Sequence, residues 1–259
     1  MKVGFFIAGM QKGGTTALTA MLRLHPGVLM SRPKEPHFFD STRIDWDKPN
    51  YKVLHQAFAG RAPEGKICGE STPIYSYWPP AMARVRDYNP QARIILSLRH
   101  PSYRAFSQWR MERERGSEAL SFAEAIADTG RARGTRRYPG VHRLLSHVDR
   151  GFYARQIEAM LVLFPRDQIH WYRSDRMWAE PLPHLQAIER FLGLETFFDA
   201  AFCAEHFRAV NARPGSGFPE GTREKLDAIY AEDIARTASL TGLDLNDWLR
   251  ADYVETIGS

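Results

Sequence analysis

Cysteine is scarce in this sequence: 259 residues include only Cys68 and Cys203. Two thiols cannot build a disulfide framework, and neither sits at a metal-ligand spacing. Cys68 lies in an apolar stretch and reads as a small core residue, while a single bridge to Cys203 stays open. Long apolar runs are missing as well. Nothing approaches the roughly 20 residues of a membrane span. The apolar stretch 3–8 is too short for a secretory leader and meets glycine and lysine at once. The expectation is a cytoplasmic protein with no membrane span. Charge of one sign is not concentrated either: 35 Lys and Arg stand against 30 Asp and Glu, a net +5. The densest basic stretches, 110–115 and 131–137, are broken by acids or glycine, as on a solvated surface. No basic and aromatic recognition motif accompanies them, so no nucleic-acid partner is expected.

What is present is globular material, 44% hydrophobic and 25% charged, enough to bury a core. There is no internal repeat, low-complexity tract or linker, so one domain over residues 1–259 is the simplest reading. The continuous apolar run 3–8 suits a strand buried on both faces, 28–30 is a second short apolar run, 93–98 is the clearest buried strand, and 66–70 and 169–172 read as further strands. Helical periodicity follows from Thr15, from Pro101 to about Glu114, over 152–164, 183–192 and about 221–240. Segments 40–65 and 203–219 read as irregular. Residues 116–140, charged, partly helical and glycine-rich, read as a mobile excursion. Strands alternating with helices predict an α/β fold with a central parallel sheet flanked by helices.

The first strand runs into Gly9, Met10, Gln11, Lys12, Gly13, Gly14, Thr15 and Thr16, and then a helix. A strand, a glycine-rich turn and a helix N-terminus together hold phosphate: the backbone curls, its N–H groups converge, and the helix dipole favours an anion. Lys12 adds a full charge, and Thr15 and Thr16 add hydroxyl donors. In the nucleoside-triphosphate version of this loop a lysine follows the second glycine. Here Thr15 holds that place and the lysine comes three residues earlier. No strand-ending aspartate for Mg²⁺ is evident. A P-loop kinase or nucleotide hydrolase using ATP–Mg²⁺ is therefore the alternative reading.

Four stretches resemble the PAPS-dependent sulfotransferases, above all the branch that modifies heparan sulfate and its bacterial relatives. They are GMQKGGTTAL (9–18), KEPHFFD (34–40), RIILSLRHPSYRAFSQW (93–109), and RGFYARQIEAMLVLFP through ERFLGL (150–194). The resemblance implies a sulfuryl donor, 3′-phosphoadenosine 5′-phosphosulfate (PAPS), and as acceptor a hydroxyl of a glycan or small-molecule natural product. It implies that Lys12, Gly13, Gly14, Thr15 and Thr16 hold the 5′-phosphosulfate, and that Arg99 and Ser107 bind the 3′-phosphate. Glu35 would be the general base, with His37 orienting the acceptor and Asp40 in support. No metal is called for, since lysine and arginine supply the positive charge. Three departures accompany the resemblance. Ser71 stands where the heparan-type relatives carry a lysine. The loop 211–215 lacks their Lys-Gly-Arg run, which leaves Arg213 as the substitute 3′-phosphate ligand. Cys203 has no near partner, so the family disulfide is expected to be absent.

Overall fold

A computed structural model describes residues 2–58, 65–133, 142–207 and 217–255. In chain order the elements are β1 (Phe5–Gly9), α1 (Thr15–Leu24), β2 (Val28–Met30), α2 (Lys52–Gln56), β3 (Ile67–Ser71), α3 (Pro79–Tyr88), β4 (Arg93–Leu98), α4 (Pro101–Glu114), α5 (Phe122–Ala125) and α6 (Asp128–Ala132). They continue with α7 (Tyr153–Leu163), β5 (Ile169–Arg173), α8 (Ser174–Ala179), α9 (Pro181–Leu192), α10 (Ala200–His206) and α11 (Thr222–Thr241).

The strands form one five-stranded sheet in the order β2-β3-β1-β4-β5, and every pairing is parallel. Strand alternation divides its apolar side chains between two cores. Phe6, Ala8, Ile94, Leu96 and Trp171 face one core with α3, α4, α7 and α11. Phe5, Ile7, Ile95 and Tyr172 face the other with α1 and α9. Burial on both faces explains why these strands read as continuous apolar runs rather than alternating ones. Each fully buried Phe or Ile adds roughly 1.5–3 kcal/mol of hydrophobic stabilisation. β1 is central, and the chain leaves it first toward β2 and β3 and later toward β4. The crevice at the carboxyl ends of β1 and β4 is therefore the switch point where such sheets bind ligands.

The α/β expectation holds, with local corrections. Segment 40–65 contains α2, while α3, α8 and most of α10 follow no signal read in the sequence. α3 is short and starts on two prolines, which suit a first helical turn but also mark turns. Of the expected excursion 116–140, the stretch 116–133 is packed, and residues 134–140 lie outside the described residues. Glu118 is buried between His147, at 3.0 Å, and Arg133, at 2.9 Å. Ser121 and Glu124 form a reciprocal capping box for α5, and Phe122 packs edge-on against Phe106. Long-range partners of this kind are invisible in a local composition. Cys68 and Cys203 are both buried free thiols. Among the described residues no helix is long and apolar enough to cross a membrane.

Candidate active site

The turn between β1 and α1 works only with its glycines. A Cβ on Gly13 would lie 2.4 Å from the Ser97 carbonyl oxygen and 2.9 Å from that of Met10, closer than any side chain tolerates. Gly14 takes a left-handed φ of 82° and ends the turn as the N-cap of α1. No side chain caps that helix, so its first-turn N–H groups are left for a ligand. β4 braces the turn from the neighbouring strand. The Met10 N–H donates to the Ser97 carbonyl at 3.0 Å, the Ser97 hydroxyl donates to the Gly13 carbonyl, and Arg99 Nη1 donates to the Lys12 carbonyl at 3.0 Å.

A cavity of about 270 Å³ opens over this turn. Lys12, Gly13, Gly14, Thr15, Thr16, Glu35, Arg99 and Ser107 all line it, although they come from three separate stretches of sequence. Arg213 lies outside the described residues. Burial, with help from the Arg99 and Arg115 charges, pulls the Lys12 ammonium down to about 8. An anion in the cavity would restore its charge. A second cavity of about 530 Å³ adjoins the first and is lined by His37, Arg43 and Arg143, among others. Gln11, Glu35 and Arg115 line both cavities, so a group passing between the two passes these three side chains.

Segment 34–40 leaves Lys34, Glu35 and His37 partly exposed because its aromatic pair is driven inward, and it buries Asp40. Phe38 and Phe39 are buried, and Phe39 meets Phe6 of β1 edge-on at 5.6 Å. The Phe39 N–H donates to Tyr75 Oη at 3.2 Å, Arg84 Nη1 donates to the Phe39 carbonyl at 2.7 Å, and the Glu35 N–H donates to the Ser71 carbonyl at 3.0 Å. So anchored, Glu35 is bent to φ 59° and His37 to φ 55°. With Lys12, at φ 71°, they are the described non-glycine residues in left-handed backbone. That conformation costs on the order of 1–3 kcal/mol each and persists where surrounding structure forces it, typically at functional sites. The Glu35 carboxylate pairs with Lys34 and lies 3.7 Å from His37 Nε2. His37 Nδ1 is 2.9 Å from Asp40 Oδ2, and Arg143 reaches the same carboxylate and the Asp40 carbonyl. Burial pushes the Asp40 carboxyl up, but the hydrogen bond and charge of His37 and the Arg143 guanidinium outweigh it and hold it below its ordinary value. A carboxylate fixing one ring nitrogen leaves the other to face the cleft.

Sequence reasoning missed some contributors. Arg115 follows Ser107 and Met111 at steps of four residues, so the period of α4 would have put all three on one face. Gln11 stands beside Lys12, but its partner Arg150 is remote. That buried guanidinium donates to Gln11 Oε1, which leaves the amide NH₂ as the free donor end. Trp178 and Glu255 line the first cavity with no signal in the sequence. Ser71 is fully buried at the end of β3 and does not stand in for a lysine; Arg115 and Arg143 bring positive charge instead. His55, Tyr75, Tyr77 and Trp78, rings whose type would suit either an acceptor rim or the core, line neither cavity. Tyr75, Tyr77 and Trp78 are core, and His55 Nε2 is 2.9 Å from Tyr88 Oη.

Beneath the site lies Glu70, wholly buried, with the Thr72 hydroxyl donating to it. Burial raises its carboxyl to about 8, against the hydrogen bonds of Thr72 and Tyr75 and with a contribution from the Asp40 and Glu35 charges. Below about pH 4.5 both folded and unfolded forms are protonated and nothing is lost. Between there and pH 8 only the unfolded form ionises, so stability falls as pH rises and then levels off. Glu70→Gln removes that loss. Its melting temperature is expected to match wild type near pH 4 and exceed it by several degrees at pH 8, a gain of a few kcal/mol. Melting curves that shift equally at both pH values would count against a neutral Glu70.

Residues 3–208 match the family model described as Sulfotransferase domain. The chain belongs to the sulfotransferase family. Mouse heparan sulfate glucosamine 3-O-sulfotransferase 3A1 is 30% identical over 239 residues, which cover 89% of this chain and 57% of that protein. Human heparan sulfate glucosamine 3-O-sulfotransferase 5 is 29% identical over 197 residues, 73% of this chain and 52% of the other. The chain thus spans little more than half the length of these curated relatives. Among solved structures, a sulfotransferase from Alicyclobacillus acidocaldarius superposes with a TM-score of 0.80 at 27% identity, covering 96% of this chain and all of that one. Mouse sulfotransferase SULT7A1 complexed with PAP shares the fold, with a TM-score of 0.57 at 12% identity over 95% of this chain and 88% of the other. The kinase alternative finds no support in these matches.

Proposed function

We propose that this sulfotransferase moves a sulfuryl group from PAPS to a hydroxyl of a glycan or small-molecule acceptor, with Glu35 as general base. The observation that carries the reading is one shared wall: the Lys12 turn, Glu35, Arg99 and Ser107 border a single cavity. PAPS brings an activated sulfur between a sulfuryl group and a 5′-phosphate. The glycine turn and the uncapped start of α1 suit the 5′-phosphate, and the Arg99 guanidinium and Ser107 hydroxyl suit the 3′-phosphate. The acceptor hydroxyl enters from the second cavity. Glu35 takes its proton as the new oxygen–sulfur bond forms and the bond from sulfur to the 5′-phosphate oxygen breaks. Lys12 and the turn amides stabilise the charge arriving on that oxygen. His37, held by Asp40, orients the acceptor. Three guanidinium groups, Arg43, Arg115 and Arg143, outnumber two carboxylates, Glu35 and Glu112, around the second cavity, a balance that favours an anionic acceptor. We also place the protein in the cytoplasm: its two cysteines are unpaired thiols, the state a reducing compartment maintains.

Calorimetric titration with adenosine 3′,5′-bisphosphate and with ATP–Mg²⁺, followed by a transfer assay with labelled PAPS, tests the reading. Tight binding of the bisphosphate and none of ATP–Mg²⁺ is expected; the reverse pattern overturns it. A pH series adds a second check. Lys12 is charged below about pH 8, so bisphosphate affinity should hold steady near pH 7 and fall as pH rises through 8, by up to about tenfold per unit. Lys12→Arg keeps its charge across that range and should lose the fall. A wild-type affinity that stays flat to pH 9.5 removes Lys12 from the phosphate site.

A further inference from the structure

Arg99 already holds an anion. Its Nε donates to both carboxylate oxygens of Glu255, at 2.8 and 2.9 Å, and its Nη2 donates to Oε2 at 2.5 Å. The pair is enclosed, with the Glu255 side chain 2% exposed and that of Arg99 12%. Nη1 is committed to the Lys12 carbonyl, so the carboxylate takes the face of the guanidinium that the loop does not use. Glu255 borders the same cavity as Ser107 and Lys12. The chain leading to it is laid across the corners after β4 and β5. The Tyr253 ring stacks on His100 at 5.0 Å, and Tyr253 Oη is 3.2 Å from Asp175 Oδ2.

A carboxylate and a phosphate accept from the same fork of guanidinium donors in the same bidentate way. One fork cannot serve both at once, and two anions side by side in an enclosed pocket repel. We propose that Glu255 is an intramolecular competitor for the 3′-phosphate subsite: PAPS binds when the 250–255 segment withdraws its carboxylate from Arg99, and Glu255 returns as the desulfated nucleotide leaves. This rests on the reading of Arg99 as a 3′-phosphate ligand. In the absence of nucleotide the exchange leaves Arg99 neutralised rather than as a bare buried cation. It acts only on nucleotides that carry a 3′-phosphate, since one without it leaves the ion pair in place.

Calorimetry on the full chain, on Glu255→Gln and on a chain shortened after Val254 separates the possibilities, with adenosine 3′,5′-bisphosphate and adenosine 5′-phosphate as probes. If the carboxylate occupies Arg99 nine-tenths of the time or more, at most about a tenth of molecules are competent, and removing it tightens bisphosphate binding at least roughly tenfold. Adenosine 5′-phosphate should change by less than about twofold. Bisphosphate binding that is measurable in wild type but unchanged or weaker in both variants overturns the competition. An equal gain for both nucleotides also overturns it, because Glu255 would then act as a general repulsive charge. Failure of every form, wild type included, to bind the bisphosphate is a different result, and it removes the PAPS reading itself.

Discussion

Lys12→Ala is expected to lose about a hundred- to a thousandfold in the rate of sulfuryl transfer while remaining folded, equivalent to roughly 3–4 kcal/mol of lost transition-state stabilisation. The ammonium sits in the tight turn against the cavity, where burial strengthens its field on any charge developing there. No other lysine of the turn can replace it, since its neighbours are Gln11 and Gly13. Lys34, Arg99 and Arg115 line the same cavity, but Lys34 pairs with Glu35, Arg99 braces the turn backbone and Arg115 also borders the second cavity. The fold should survive because the Lys12 side chain supports little else: its ammonium has a 3.6 Å contact with the Met111 sulfur. Steady-state kinetics with labelled PAPS, beside a melting curve, gives the answer. Transfer within a fewfold of wild type by a folded Lys12→Ala protein would move the leaving-group charge elsewhere.

Glu35→Gln should fall about as far, by roughly a hundred- to ten-thousandfold in kcat. The amide keeps the size and reach of the carboxylate but cannot accept the acceptor's proton. The two variants differ in what they spare. Glu35 touches neither Arg99 nor the turn amides, so Glu35→Gln should bind adenosine 3′,5′-bisphosphate within about threefold of wild type, whereas Lys12→Ala should bind it less well. Stability should barely change, because the pair with Lys34 is partly exposed and such pairs add little. A Glu35→Gln enzyme with near-normal kcat would leave His37, 3.7 Å away and backed by Asp40, as the base.

Much of this arrangement is legible along the chain because it is local. The turn 9–16 declares itself through glycines that backbone geometry demands, and β4 through an apolar run between Arg93 and Arg99 interrupted by Ser97 alone. The exposure of Glu35 and His37 follows from a Phe pair, 38 and 39, that must be buried. What escapes is everything made by residues far apart. The packing of 116–133 depends on His147, the orientation of Gln11 depends on Arg150, and the state of Arg99 depends on Glu255. None of these partners has a periodic or spaced relation to the residue it serves. The aromatic residues at 75–78 mislead for the same reason: composition allows a rim or a core, and packing against the sheet chooses the core.

By itself, then, the order of residues determined a parallel α/β sheet and a glycine turn suited to phosphate, carrying Lys12, after its first strand, while the candidate base Glu35 and the pair Arg99 and Ser107 came from the family resemblance. The sheet and the turn depend on short-range steric rules and on which side chains must leave water. Only the tertiary structure decided that Lys12, Glu35, Arg99 and Ser107 share one cavity, that a second cavity meets it at Gln11, Glu35 and Arg115, and that a carboxylate from the far end of the described chain rests on Arg99. Those outcomes depend on sheet order and on which distant charges find one another once water is excluded, and neither is encoded in the spacing of neighbouring residues.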